Sequence, residues 1–407
     1  MDYGEVRARL AGLVVFRALL SDPVVEKFQH MLEAGCTGGT DAGLTFTAAA
    51  ADFEAALFET GTSWTAYLEA LVLESENVCI RRAAHSTADE TLEKALAAEL
   101  RFLQQLGAMK WADVRRGAPA LSEAQRASAD ILAPWRTETA DFAGDYARRA
   151  AEAGRRGYGM FAKNHVFTVE NGRLVPVRHP DPQRLAQLPG YEGEREKVIA
   201  NTKALIAGLP ANNVLLYGDA GTGKSSTVKA IANEYAGLGL RLVEVKKNQL
   251  YQIPDLMDAL AANPLKFILF IDDLSFTAND DNFAALKAIL EGSVGGRAGN
   301  IAVYATSNRR HLIKETLGDR AGDDIHEADT KQELMSLSAR FGLTVTFLRP
   351  EKDRFAYIVA ELAAQYGVDI PAEELLVKAE AFAIRAGGRS PRVAKQFIEL
   401  CRAGITV

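Results

Sequence analysis

The chain has 407 residues, of which 48% are hydrophobic and 25% charged, and its formal net charge at pH 7 is -6. This composition is typical of a folded globular protein and excludes the fibrous and disordered classes, while the length predicts two or three domains. The negative net charge gives no overall attraction to nucleic acid or to an anionic membrane, although it is compatible with a local basic face.

The N-terminal residues resemble no targeting signal. Asp2 stands where a signal peptide has basic residues, and Arg17 interrupts the apolar stretch that follows. No uninterrupted apolar stretch approaches the roughly 20 residues that span a membrane. Cys36, Cys79 and Cys401 lie far apart, so they predict neither a disulfide framework nor a zinc site. We therefore expect a cytoplasmic protein without a membrane partner.

Residues 1–157 are predicted to form a helical domain. Leucines recur at steps of three and four residues, as in Leu92, Leu96, Leu100 and Leu103, which is the spacing of an amphipathic helix that faces a core. The basic pairs of this region are separated by acidic residues and fit solvated helix faces. Because the region contains no catalytic constellation, we expect it to recognise the partner.

Residues 158–183 are predicted to form a β-hairpin and a linker. Asn171-Gly172 separates two alternating apolar runs, which is a strong hairpin signal because both turn positions need a positive φ. Pro176 has no N–H to donate in a central strand, so we expect the hairpin at a sheet edge. The proline-rich segment 179–182 then forms a stiff connector.

Residues 184–349 alternate apolar strands with helical stretches, and residues 350–407 are helical. The alternation indicates an α/β domain with a parallel, doubly wound sheet, followed by a small helical bundle. Five strands are predicted: Val214–Tyr217, Leu240–Val245, Phe267–Ile271, Ile301–Ala305 and Leu343–Phe347.

The strongest motif is a glycine-rich loop that follows the first of these strands and precedes a helix. This is the context in which such a loop cradles phosphates with its backbone N–H groups, aided by the helix dipole. In that cradle Lys224 reaches the β- and γ-phosphates of ATP, and the Ser225 hydroxyl joins the shell of Mg²⁺. The predicted nucleotide contacts are Gly218, Ala220, Gly221, Thr222, Gly223, Lys224, Ser225 and Ser226.

Two carboxylates end the buried strand Phe267–Ile271. Because the carboxyl ends of parallel strands face the ligand crevice, Asp272 is predicted to hold Mg²⁺. Asp273 is predicted to orient, or take a proton from, the attacking water. The hypothesis requires that the carboxylate pair and the glycine loop lie close enough to share one magnesium ion.

A polar residue, Asn308, ends the next strand, and at this point the sequence resembles the AAA+ ATPases. In that superfamily a polar residue here touches the γ-phosphate and the lytic water. The resemblance covers about residues 165–403 and is closest to an uncharacterised bacterial AAA+ group of the domain-of-unknown-function kind. It implies a P-loop AAA+ core with a C-terminal helical lid.

Two arginines extend the resemblance. Arg340, just before the last strand, matches the arginine finger that acts on the ATP of a neighbouring subunit, and Arg392 matches the sensor-2 arginine of the lid. Arg389 is the weaker alternative for the second role. Tyr191 lies in a segment that resembles the adenine-pocket lining, and it either packs near the base or belongs to the core. The resemblance implies a homo-oligomer with nucleotide sites at its interfaces.

The functional alternatives differ in the role of hydrolysis. One is a Mg²⁺-dependent ATPase that remodels or loads an unknown protein or nucleic-acid partner. The other is a nucleotide-gated loader or adaptor with little hydrolysis, which is favoured by Asp272-Asp273, since many AAA+ motors have Asp-Glu there. A small-molecule kinase fits the trailing lid poorly.

Overall fold

The computed structural model describes residues 2–37, 41–83, 89–117, 131–274, 282–291, 298–308 and 340–405. It divides into two compact units, Met1–Lys163 and Asn164–Val407. Among the helices of the described ranges, none is long and apolar enough to cross a membrane. The segment just before Arg340 lies outside the described residues.

The first unit is helical. Its core is aromatic: the Trp64 ring stacks on Phe28 at 4.8 Å between centroids and meets Phe53 edge-on at 5.2 Å. Leu100 and Leu103 of the predicted leucine stripe are buried in this core. The described helices are α1 (Tyr3–Ala11), α2 (Pro23–Cys36), α3 (Ala42–Phe58), α4 (Trp64–Glu74), α5 (Val78–Ala83), α6 (Glu90–Gly107), α7 (Trp111–Gly117), α8 (Phe142–Ala151), α9 (Ala153–Arg156) and α10 (Met160–Lys163).

The second unit is built on one sheet with the strand order β2-β1-β4-β5-β6-β3-β7. Neighbouring strands are parallel throughout, except that β2 pairs antiparallel with β1. The strands are β1 (Val166–Glu170), β2 (Arg173–Pro176), β3 (Val214–Gly218), β4 (Leu240–Glu244), β5 (Lys266–Ile271), β6 (Ile301–Ser307) and β7 (Leu343–Phe347).

The hairpin extends the sheet beyond the five predicted strands. All five of those are present as β3 to β7, and β1 adds a further parallel strand by pairing Val166 with Leu242 of β4. The sequence predicts a hairpin at a sheet edge but not its pairing partner, because that partner lies about 75 residues away and the local pattern carries no record of such a contact. Pro176 lies in the edge strand β2, as its missing N–H requires.

Helices surround the sheet and complete the unit. The strand β5 is buried along Phe267–Ile271, which fits a central parallel strand covered on both faces. Phe397 and Ile398 of the last helix are also fully buried, in the core that the sheet and the C-terminal helices share. The helices are α11 (Glu192–Ile206), α12 (Lys224–Tyr235), α13 (Ile253–Ala261), α14 (Asn282–Glu291), α15 (Lys352–Tyr366), α16 (Ala372–Arg385) and α17 (Pro391–Arg402).

The strand order decides which side chains meet. Parallel strands end at the same edge of the sheet, and β6 lies between β5 and β3. Asn308, which follows β6, is therefore placed between the carboxylates that follow β5 and the glycine loop that follows β3.

Candidate nucleotide site

The glycine loop has a backbone that other residues would not adopt. Gly218 has a φ of 135°, and a Cβ there would collide with the carbonyl oxygen of Phe347 in β7. Gly221 and Gly223 have φ values of 77° and 91°, in the left-handed region that favours glycine. Thr222 closes the turn by donating its hydroxyl to the Asp219 carbonyl at 2.8 Å. The loop is a fixed turn at the start of α12.

Lys224 lies at the centre of the site and is only 5% exposed. Its Nζ donates to the carbonyl oxygens of Gly218 at 2.9 Å and Asp219 at 2.7 Å, and to Oδ1 of Asn308 at 3.0 Å. Burial lowers the pKa of Lys224, while the carboxylate of Asp219, and then those of the Asp272-Asp273 pair, act in the opposite direction. The site therefore holds a buried ammonium whose charge is compensated by nearby acids.

Asn308 bridges the lysine and the second carboxylate. Its Oδ1 accepts from Lys224, and its Nδ2 donates to Oδ1 of Asp273 at 2.8 Å. An ammonium only donates and a carboxylate only accepts, so both contacts fix the same orientation of the amide. The bridge joins the loop after β3 to the acidic end of β5.

The first carboxylate contacts the loop directly. Ser225 donates its hydroxyl to Oδ1 of Asp272 at 2.5 Å, and Thr306 donates to the same oxygen at 2.5 Å. The Thr306 hydroxyl also accepts from the backbone N–H of Asp273 at 2.9 Å. Sequence reasoning missed Thr306, because a hydroxyl residue at the end of a buried strand does not show which strand end lies beside it.

Asp273 has an unusual backbone. Its φ is 51°, in the left-handed region that only glycine, asparagine and aspartate enter at low cost. Its side chain is solvent-exposed apart from the contact with Asn308. The turn directs the carboxylate of Asp273 towards the residue that follows β6.

The lid helix α17 meets the loop through its N-terminus. The backbone N–H of Arg392 donates to the Gly221 carbonyl at 3.1 Å, and Ser390 caps the helix by accepting from Val393 at 3.2 Å. Arg389 is instead held by Glu380, with Nε at 2.9 and 3.0 Å from the two carboxylate oxygens.

Tyr191 is both a core residue and a cavity-lining residue. It is 2% exposed, its ring stacks on Phe347 at 5.4 Å, and its hydroxyl donates to the Leu348 carbonyl at 2.5 Å. The Arg354 guanidinium of α15 lies 4.8 Å from the ring centroid. Burial raises the pKa of Tyr191 to about 12. Of the two alternatives left open by the sequence, core packing is observed, and contact with the base stays a prediction that is compatible with the place of Tyr191 in the cavity lining.

These groups surround one cavity of about 1130 Å³. The Ser225 hydroxyl and the Asp272 carboxylate meet in its lining, and both are hard oxygen donors, which suit Mg²⁺ that is shared with phosphates. The lid contributes further cations to the lining, Lys395 and Arg402. The predicted site residues among its lining are Tyr191, Ala220, Gly221, Thr222, Gly223, Lys224, Ser225, Ser226, Asp272, Asp273, Asn308 and Arg392.

The sequence of this chain matches one known protein family. The family described as "Protein of unknown function (DUF815)" matches residues 161–404. The chain belongs to this family. A search of curated proteins finds no match.

Among solved structures, the Thermotoga maritima RuvB Holliday junction branch migration motor is 18% identical, with 55% of this chain and 67% of that chain covered and a TM-score of 0.37. Two single-residue variants of the same RuvB are also 18% identical. The match to one variant covers 55% of this chain and 67% of that chain, with a TM-score of 0.36. The match to the other covers 54% of this chain and 64% of that chain, with a TM-score of 0.35.

The family match confirms the expected membership of a domain-of-unknown-function group, and the sheet confirms the predicted α/β fold class. The DUF815 region has the parallel P-loop sheet, the lid and the strand order β5-β6-β3 that brings three polar strand ends together. A helical unit precedes it in the chain.

Arg340 lies elsewhere in this DUF815 chain. It is half-buried and precedes β7, at the end where Leu343 pairs with Val214 at the start of β3. The glycine loop begins at the opposite end, where Gly218 pairs with Phe347. Four steps of about 3.3 Å, or about 13 Å of strand, separate the two ends. The structure thus does not bring Arg340 together with the other predicted site residues of its own chain.

Proposed function

We propose that this DUF815 protein is an AAA+ ATPase that binds ATP with Mg²⁺ in the cavity and hydrolyses ATP to ADP and phosphate. One observation carries the proposal: the Ser225 hydroxyl lies 2.5 Å from the Asp272 carboxylate. The glycine loop and the acidic strand end can therefore share one magnesium ion, which is the geometric requirement of the hypothesis.

Binding is assigned to the loop and its lysine. The backbone N–H groups of the loop and the N-terminus of α12 would hold the phosphates, and the Lys224 ammonium would neutralise the β- and γ-oxygens. Ser225 and Asp272 would hold Mg²⁺, which when bound neutralises charge on the phosphate oxygens. Thr306 keeps the Asp272 carboxylate turned towards Ser225.

Hydrolysis is assigned to the exposed carboxylate and its neighbours. Asp273 would orient the attacking water, and Asn308, which contacts both Lys224 and Asp273 at the end of β6, would lie between that water and the phosphate. The Arg392 side chain would approach the γ-phosphate from the lid. Arg340 would complete a neighbouring subunit's site, because it lies at the end of the sheet away from its own loop. A homo-oligomer with interfacial sites follows.

The loader alternative has its own supporting observation. The Asp273 carboxylate is held by Asn308 at 2.8 Å, and aspartate is one methylene shorter than the glutamate of many AAA+ motors. Both features favour slow hydrolysis that serves as a switch on partner binding. Turnover measured with and without candidate protein or DNA partners separates the two functions, since a remodelling ATPase is stimulated by its client.

The test of the site is equilibrium binding of a fluorescent ATP analogue with Mg²⁺. Lys224→Ala should weaken binding by about 10- to 100-fold, because a hydrogen bond to a charged group contributes about 1.5–3 kcal/mol. Lys229→Ala is the matched control, since Lys229 lies on the same helix and does not line the cavity. Equal affinity of the two variants for the ATP analogue would refute the proposed nucleotide site.

The unknown client can be sought with a variant that binds ATP but does not hydrolyse it. Asp273→Asn should retain ATP and therefore the partner, so affinity capture from cells with this variant should enrich a protein or nucleic acid that Lys224→Ala does not. Identical material captured by both variants would exclude an ATP-dependent client.

A further inference from the structure

Asp219, the second residue of the glycine loop, makes contacts in two directions. Its backbone carbonyl accepts from the Lys224 ammonium at 2.7 Å. Its backbone N–H donates to the Phe347 carbonyl at 3.0 Å, and its side-chain Oδ2 accepts from the backbone N–H of Arg349 at 2.7 Å. Asp219 therefore joins the buried lysine to the segment in which the chain leaves β7 for the lid.

Arg349 continues the connection into the lid. Its guanidinium donates to the carbonyl oxygen of Gly387 at 3.3 Å, in the loop between α16 and α17. The fit is close, since a Cβ on Gly388 would meet an Arg349 nitrogen at 2.5 Å. The Arg349 side chain thus anchors the loop that leads to Arg392.

A second contact joins the glycine loop to the lid, at Gly221. Arg392 donates its backbone N–H to the Gly221 carbonyl at 3.1 Å, and a Cβ on Gly221 would lie 3.1 Å from Cβ of Arg392. The glycine loop is consequently bonded to the lid twice, directly at Gly221 and through Arg349 at Asp219.

We propose that Asp219 is a positioning residue that holds the lid loop 386–390 against the glycine loop and thereby sets where Arg392 stands at the nucleotide site. The contacts involve no nucleotide, so the holding of the lid is independent of the proposed function. Only its consequence for ATP rests on that function.

The chemistry of the side chain makes the proposal testable. The link from Asp219 to Arg349 needs an acceptor oxygen and not a charge, so an asparagine can replace it and an alanine cannot. An aspartate that served only to keep Lys224 charged would show the opposite pattern, with asparagine as damaging as alanine.

The test is hydrogen–deuterium exchange of the full chain without nucleotide. In Asp219→Ala, peptides that cover 386–392 should exchange about tenfold faster than in the wild type, as expected for loss of one hydrogen bond worth about 1.4 kcal/mol. Asp219→Asn should exchange like the wild type, and so should Asp258→Ala, a control at an exposed position of α13. Unchanged exchange in Asp219→Ala, or equal acceleration by asparagine, would overturn the proposal.

A second variant keeps the test valid if Asp219→Ala does not fold. Arg349→Ala retains the backbone N–H that contacts Asp219 and removes only the side-chain link to Gly387, at an exposed position. It should accelerate exchange of the same peptides by a similar factor. Exchange that stays at the wild-type rate would exclude Arg349 as the connection.

The consequence for the site is measured by a double-mutant cycle on the affinity for the fluorescent ATP analogue. If Asp219 acts through Arg392, the variant carrying both Asp219→Ala and Arg392→Ala should bind no more weakly than Arg392→Ala alone. Additive losses would overturn an action through Arg392. Absence of ATP binding by the wild type would instead refute the proposed function, while the exchange comparison would still decide whether Asp219 holds the lid.

Discussion

On the proposed function, Asp273→Asn should separate nucleotide binding from hydrolysis. Asparagine tolerates the left-handed backbone that Asp273 adopts at a φ of 51°. Its Oδ1 can still accept the hydrogen bond that Asn308 donates at 2.8 Å. The substitution therefore keeps the shape of the turn and removes only the negative charge and the ability to take a proton.

The expected loss of turnover follows from that single change. A positioned general base contributes about 10²- to 10⁴-fold to a rate, so kcat for ATP hydrolysis should fall at least about 100-fold, or about 2.7 kcal/mol. The affinity for ATP should change little, because Lys224, Ser225 and Asp272 are untouched and the ammonium keeps the carboxylates of Asp219 and Asp272 nearby.

The assay measures phosphate release at saturating ATP together with equilibrium binding of a fluorescent ATP analogue. Asp258→Asn, at an exposed position of α13, provides the matched control and should behave as the wild type in both measurements. Unchanged hydrolysis in Asp273→Asn would refute the assigned role. A loss of affinity as large as the loss of turnover would show that the carboxylate acts in binding and not in the chemical step.

Three further predictions concern other parts of the molecule. Gly218→Ala should lower the free energy of unfolding in denaturant by about 3 kcal/mol or more, because its Cβ collides with a β7 carbonyl, whereas Gly223→Ala adds only backbone strain of about 1–2 kcal/mol. Burial raises the pKa of Glu54 from 4.5 to about 7, so the folded state loses stability as pH rises through 7 and the buried carboxyl ionises. Glu54→Gln should therefore stabilise the protein at pH 8, by up to about 3 kcal/mol and with a higher melting temperature, and much less at pH 5. Glu59→Gln, at an exposed position, should be neutral at both pH values. Arg340→Ala should keep ATP affinity and lose turnover, and its mixture with Lys224→Ala should recover part of that turnover, since a hybrid interface pairs an intact loop with an intact arginine; no recovery would exclude action between subunits.

Local signals sufficed for the strands and for the glycine loop. The loop is recognisable because its glycines are required by the backbone itself: at Gly218 the β7 carbonyl leaves no room for a side chain, and at Gly221 and Gly223 the φ values are positive. The strands are recognisable because a central parallel strand such as β5 is continuously apolar, here from Phe267 to Ile271. Each of these features involves residues that are adjacent in sequence, so it can be recognised from one sequence alone.

Contacts between distant segments could not be predicted in the same way. The pairing of β1 with β4 depends on a partner chosen in three dimensions, and nothing in residues 166–170 specifies it. Thr306 was overlooked because its role depends on lying beside Asp272, a neighbour fixed by the pairing of β5 with β6. The position of Arg340 at the far end of the sheet likewise follows from the direction of β7 and not from its motif.

The contacts of Lys224 indicate how phosphate binding would affect Asn308 and Asp273. An ammonium has three N–H donors, and here they meet the carbonyl oxygens of Gly218 and Asp219 and the amide oxygen of Asn308. On the proposed function, a phosphate oxygen that takes up Lys224 must displace one of these acceptors. The two carbonyls belong to the fixed turn, whereas Asn308 is a side chain at a strand end and can rotate. Its release from Lys224 would also loosen its hold on Asp273, so that arrival of the phosphate frees the carboxylate that hydrolysis requires. Asn308→Ala removes this contact with Asp273. The release of the Asp273 carboxylate should then no longer depend on bound phosphate, but the measured turnover should still fall, because no amide lies between water and phosphate.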